Sequence, residues 1–145
     1  MKTDFRIYID TAPFIYYLSK NDLYFSHIEK FFSEHEGASL YTSLLTEMEY
    51  IILPLRNKQF EAIKLFELYV DRLGINICPI DRNTTYKAAT IRSQYPFFKS
   101  MDALHLATAC IANCNLIFTN DKQLAQFSEI KCLLVDDLVK SENKQ

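Results

Sequence analysis

Short β-rich runs recur along this chain, each separated from the next by helical stretches, and that alternation confines it to few folds. Phe5 to Asp10 (FRIYID) reads as a strand, with Ile7 and Ile9 in a β-rich run. Thr11 then offers an N-cap, and Pro13 falls near the start of the helix that follows. A second helix is expected from about Tyr24 to His35, stopping near Gly37. Ser39 to Thr42 reads as a short strand, and Ser43 as the cap of a helix from Leu45 to Arg56 whose last turn Pro54 strains. Lys58 to Leu73 is a long amphipathic helix, with Ile63, Phe66, Val70 and Leu73 on one face and Gly74 as its stop. Ile75 to Pro79 is the next strand, and Asp81 or Asn83 starts a helix that ends before Pro96. Ser100 is read as the cap of a helix from Met101 to Asn113. Leu116 to Thr119 is a strand, Lys122 to Phe127 a short helix, and Cys132 to Val135 a last strand. Strands separated by helices imply a parallel sheet with right-handed crossovers. In such a sheet the functional crevice lies at the carboxyl ends of the strands, where strand order reverses.

Length and composition agree with one α/β domain. The 145 residues, 49% of them apolar, suffice for a substantial core. The expected division is a single domain over 1–140 with a frayed tail at 141–145. No stretch approaches the ~20 apolar residues of a membrane span, and MKTDFR is too polar for a signal peptide. A cytoplasmic protein without a membrane partner is expected. The net charge of −2 argues against a protein that coats nucleic acid by bulk electrostatics. It leaves room for a nuclease that concentrates negative charge at its site and offsets it with cations. Cys78, Cys110, Cys114 and Cys132 form no CxxC pair. His105, Cys110 and Cys114 lack the two-plus-two spacing of a zinc site, so buried reduced thiols are expected.

Four carboxylates lie at strand ends or near helix starts, and two of them, Asp10 and Asp121, are candidates for that crevice because each directly follows a strand. Asp10 closes the first strand, Asp121 follows the run NLIFT, Asp102 opens a helix, and Glu49 lies on the helix after the second strand. Each also has a local explanation. Asp10 and Asp121 could cap helices, Asp102 would gain ~0.3–1 kcal/mol from the helix dipole, and Glu49 stands three residues after Thr46, at capping-box spacing. Together they suggest one magnesium site. Magnesium takes hard oxygen ligands and keeps several waters, and carboxylate-held metal supplies what phosphodiester hydrolysis needs. No rival nucleophile constellation is present. His27 and His35 read as surface residues. His105, three residues after Asp102 on the same helical face, reads as a structural partner of Asp102 or of the core.

The segment TSLLTEMEYIILPLR carries two glutamates, Glu47 and Glu49, about 200° apart around a helix. Only one can face a given crevice. The apolar set Leu45, Met48, Ile52 and Leu55 lies between them and does not decide.

Three segments, YIDTAPFIYYL, TSLLTEMEYIILPLR and SMDALHLATACIANCNLIFTND, resemble the PIN-domain ribonucleases, particularly the VapC-type toxins of bacterial toxin–antitoxin pairs. The resemblance spans nearly the whole chain, and the last segment is the most specific. It implies a three-layer α/β/α sandwich with a parallel sheet of about five strands. The family's Ser-x-x-Thr-x-x-Glu motif falls on Ser43, Thr46 and Glu49. The implied metal-binding and catalytic acids are then Asp10, Glu49, Asp102 and Asp121, with Thr11, Thr119 and Asn120 as polar support. The implied activity is Mg2+-dependent (or Mn2+-dependent) hydrolysis of RNA, leaving a 5′-phosphate and a 3′-hydroxyl. Thr11, Asn120, Arg92 and Lys99 are the expected substrate contacts, with Arg56 and Lys122 as further basic candidates. Tyr95, Phe97 and Phe98 could stack bases, though aromatics more often pack in a core or interface. A homodimer silenced by an antitoxin is also implied, the antitoxin placing an arginine among the acids. A solitary PIN nuclease in RNA processing and a catalytically silent nucleic-acid-binding module are the alternatives. A haloacid-dehalogenase phosphatase would need an aspartate where Ala12 stands. A response-regulator receiver would need an acidic pair at the first strand and a later strand-end lysine.

Overall fold

The computed structural model describes residues 4–143. Five parallel strands form one sheet: β1 (Arg6–Ile9), β2 (Ser39–Ser43), β3 (Asn76–Cys78), β4 (Leu116–Thr119) and β5 (Lys131–Leu134), in the order β3-β2-β1-β4-β5. The pleat of β1 assigns its two faces. Ile7 and Ile9 pack with Phe14, Phe31, Leu40 and Phe118 on one side, while Tyr8 packs with Ile91, Leu106 and Ile117 on the other. Helices α1 (Thr11–Leu18), α2 (Phe25–Glu34), α3 (Leu44–Arg56) and α4 (Phe60–Leu73) contribute to the first face. Helices α5 (Arg82–Gln94) and α6 (Ser100–Ile111) cover the second. The result is the expected three-layer α/β/α sandwich. Strand order runs outward from β1 to β3, then returns to β4 on the other side of β1, so it reverses between β1 and β4. No described helix is long and apolar enough to cross a membrane.

Most elements lie where the sequence places them, and the departures have local causes. Asp10 itself is the N-cap of α1, its carboxylate accepting the Thr11 N–H. Ser43 stands at the N-cap of α3 without capping it, because its hydroxyl accepts a hydrogen bond from Tyr8 instead. Ser100 is inside α6, and Lys99 holds the cap position. Asp81, not Asn83, caps α5, accepting from the Thr84 N–H and hydroxyl. Gly74 ends α4 in the left-handed conformation (φ 65°) that glycine adopts without strain. The expected helix over 122–127 is only a 3-10 turn at Leu124–Gln126. A last helix, α7 (Val135–Asn143), replaces the end of the expected strand and the first part of the frayed tail. Tyr24 donates to Asp136, and Glu142 meets His27 and Lys30, which seats α7 on α2. The rest of that tail, residues 144–145, lies outside the described residues.

Candidate active site

The carboxyl ends of β1 and β4 hold the site. The Asp10 N–H continues the ladder by donating to the Phe118 carbonyl at 2.9 Å. Its carboxylate is buried and doubly held: Oδ1 accepts the Thr11 N–H at 2.8 Å and Oδ2 the Thr119 hydroxyl at 2.7 Å. The same Thr119 oxygen accepts the Asp121 N–H at 3.0 Å, and Asp121 Oδ1 accepts the Gln123 N–H at 2.9 Å. One hydroxyl thus fixes acids from two strand ends. Asp102 stands in the first turn of α6, its Oδ2 accepting the Lys99 N–H at 3.2 Å. From α3, Glu49 extends Oε1 to the Thr11 hydroxyl at 3.1 Å and to His105 Nε2 at 2.7 Å.

Asp10, Thr11, Glu49, Asp102, His105 and Asp121 line one cleft of about 290 Å³, walled by Ile15, Met101 and Leu124. Glu49, not Glu47, faces it. The periodicity could not show this because the apolar stripe of α3 faces outward: Met48, Ile52 and Leu55 are exposed, and only Leu45 of that set is buried.

The electrostatics record crowded negative charge. Burial raises the Asp102 pKa above its ordinary value; the Lys99 N–H opposes this, and the charges of Asp121 and Asp10 add to it. Glu49 is lowered, first by the hydrogen bond from His105. Burial works against a charged His105, but the Glu49 hydrogen bond and the charges of Asp10, Glu49 and Asp102 outweigh it and raise its pKa.

The donor set suits a hard cation. Among the described residues, Glu49 Oε2, Asp102 Oδ1 and Asp121 Oδ2 have no protein hydrogen-bond donor. No three His, Cys, Asp or Glu side chains among those residues already close on one point. A cation held here would have to keep part of its water shell, as magnesium does, rather than sit bare in a protein cage.

A family model described as a PIN domain matches residues 7–130. The chain belongs to the PIN-domain family. No curated protein matches this PIN domain in sequence. Among solved structures, its fold is similar to a chain of VapBC2 from Rickettsia felis bound to a promoter DNA fragment. That match has TM-score 0.71 and 14% identity, covering 89% of this chain and 98% of that one. VapBC-1 from nontypeable Haemophilus influenzae gives TM-score 0.69 and 19% identity, covering 90% and 98%. VapC20 from Mycobacterium tuberculosis, described as a Sarcin-Ricin loop cleaving toxin, gives TM-score 0.66 and 14% identity, covering 86% and 98%.

Within this PIN domain the expected polar and basic residues divide. Thr11 and Thr119 are buried among the acids. Asn120 turns away, its Oδ1 accepting the Asp136 N–H at 3.0 Å at the start of α7. Arg92 supports the loop before α6, donating to the Phe98 carbonyl at 3.0 Å and the Ser100 hydroxyl at 3.2 Å. Neither lines the cleft. Lys99, Arg56 and Lys122 are exposed. Of the aromatics, Phe98 is core, Tyr95 packs on it and on Phe127, and Phe97 is the exposed one.

His105 hydrogen-bonds Glu49 and Tyr8, not Asp102. No sequence pattern signals the Tyr8–Ser43–His105 contacts, which join three separate elements. His35 is half-buried against Phe31 and bonds its carbonyl, and His27 is half-buried beside Glu142 at 2.6 Å; neither is a free surface residue. With His105 so engaged, no zinc ligand set forms with Cys110 and Cys114. Burial pushes the Cys114 thiol up to about 12 and Cys132 to about 11, which suits inert, protonated thiols.

Proposed function

We propose that this PIN domain is a metal-dependent endoribonuclease and the toxin of a toxin–antitoxin pair. The observation that carries the reading is the meeting of Asp10, Glu49, Asp102 and Asp121 in one cleft at the strand-order reversal. Magnesium, with manganese as a substitute, is the cofactor this donor set suits, held through the free oxygens of Glu49, Asp102 and Asp121 and the remaining lone pairs of Asp10. Such an ion lowers the pKa of a bound water and neutralises phosphate charge. The chain's own contribution is placement. Thr119 and Thr11 fix Asp10, and Thr119 ties Asp121 to it. Lys99 and Lys122, exposed beside Asp102 and Asp121 in sequence, would hold flanking phosphates. The presence of all four acids disfavours a silent binding module.

Two surfaces support the partner assignments. An apolar groove of about 330 Å³ runs between α1, α3 and α4, lined by Leu18, Tyr50, Leu53 and Leu65. It shares Ile15 and Glu49 with the acidic cleft. An antitoxin segment with an apolar helical face and an arginine at one end would fill both. On the opposite side of α3, the exposed Leu44, Met48, Ile52 and Leu55 would pack in a homodimer.

The decisive experiment is cleavage of structured RNAs in Mg2+ by wild type, Asp10→Asn and Asp102→Asn. Loss of about 100-fold or more in both variants is expected, in keeping with removal of an essential electrostatic group. Unchanged cleavage in both would overturn the metal-site reading. Growth arrest on induction of wild type but not Asp10→Asn tests toxin status.

A further inference from the structure

Behind the cleft runs a buried polar chain that reaches one of its acids. His105 is 5% exposed on the inner side of α6. Its Nε2 lies 2.7 Å from Glu49 Oε1 and its Nδ1 2.7 Å from the Tyr8 hydroxyl. The Tyr8 hydroxyl, on a side chain with no exposure, donates to Ser43 Oγ at 2.8 Å. Residues from β1, α6 and the start of α3 are thereby linked, and the chain ends on a single cleft acid. His105 Nδ1 is 3.6 Å from Asp10 Oδ1, beyond hydrogen-bond distance, so Glu49 is the acid it holds. Glu49 also needs holding most. It has one more rotatable bond than the aspartates and projects from mid-helix, whereas Asp10, Asp102 and Asp121 are each pinned by backbone N–H groups. A buried imidazole and a buried phenol in this layer incur a desolvation cost that only such partners offset. A leucine at position 105 would fill that layer without it.

We infer that His105, braced by Tyr8 and Ser43, is a positioning residue that holds Glu49 Oε1 so that Oε2 is presented to the cleft cation. The inference rests on the metal site proposed above. Outer partners of metal-ligating groups of this kind typically change metal affinity 10- to 100-fold.

The test is Mn2+ binding to the full chain, read without RNA from the loss of the free-ion paramagnetic resonance signal, with circular dichroism as the check of fold. His105→Asn keeps a donor for the Tyr8 side and loses the Glu49 contact; it should weaken Mn2+ binding about 10- to 100-fold. His105→Gln restores a donor at the Nε2 position and should recover most of that loss. In a Glu49→Gln background, His105→Asn should add nothing further. Wild-type affinity in His105→Asn, or equal weakening in both backgrounds, overturns the inference. Should His105→Asn fail to fold, Tyr8→Phe carries the test: it removes only the brace, and unchanged affinity there is equally fatal. A wild-type chain that binds no Mn2+ overturns the metal site itself, and this inference with it. Binding that is insensitive to His105 overturns the inference alone.

Discussion

Thr119→Val is the sharpest probe of how the site is held, because it exchanges a hydroxyl for a methyl of the same shape at a fully buried position. The hydroxyl donates to Asp10 Oδ2 at 2.7 Å and accepts from the Asp121 N–H at 3.0 Å. A hydrogen bond to a charged group contributes about 1.5–3 kcal/mol. Asp121 is exposed, so water can replace its lost acceptor at a cost of about 0.5 kcal/mol. The added methyl returns a few tenths of a kcal/mol, roughly, by burial. The net expectation is a loss of about 2–3 kcal/mol, or about 5–10 °C in Tm for a domain of this size. Urea and thermal unfolding in EDTA at neutral pH measure it. Thr119→Ser, which keeps the hydroxyl, should lose only about 1 kcal/mol for its missing methyl. In an Asp10→Ala background the valine substitution should cost at least about 1 kcal/mol less than in wild type, since its partner is gone. Equal costs in the two backgrounds would refute the account, whatever their size.

Further outcomes follow from other parts of the molecule. With metal removed, His105 contributes stability that is fully present below its ordinary pKa of 6.5 and is lost as pH rises through its raised folded value. The melting temperature should therefore fall from pH 6 to pH 8, and His105→Gln should flatten that slope; an unchanged slope removes the assignment. Mg2+ at about 100 times its Kd should add about 2.7 kcal/mol of stability, seen as a rise in Tm that Asp102→Asn abolishes. Gly74→Ala should cost about 1–2 kcal/mol from the left-handed backbone alone, because a Cβ there meets nothing within 4 Å. Gly74→Asn should cost visibly less by the same unfolding assay.

The sheet was legible because a buried parallel strand announces itself by composition, and Asp10 and Asp121 because each directly follows such a strand. Periodicity failed at α3 for a physical reason. A helix that presents apolar residues to solvent as well as to the core has no single hydrophobic face, so Glu47 and Glu49 looked alike and only the family motif separated them. α7 escaped notice because its polar sequence is held by side-chain contacts from α2, far away in the chain. Asn120, expected beside the substrate, accepts a hydrogen bond from the start of this helix. Arg92, a substrate candidate by its charge, has its guanidinium on the loop that starts α6. Helical spacing offers His105 either Asp102 or the core; the side chain is buried, while the Asp102 Oδ2 turns back to the Lys99 N–H and the imidazole crosses to α3.

The bond between Thr119 and Asp10 joins residues 109 positions apart, and this has a consequence for the protein's birth. A growing polypeptide carries Asp10, Glu49 and Asp102 well before β4 leaves the ribosome, but until β4 pairs with β1 the Thr119 hydroxyl cannot clamp Asp10. The last strand-end acid and the hydroxyl that clamps two of the four arrive together, within three residues. The cleft is thus completed by one long-range strand pairing, and no stretch of the chain that stops short of β4 can assemble all four acids.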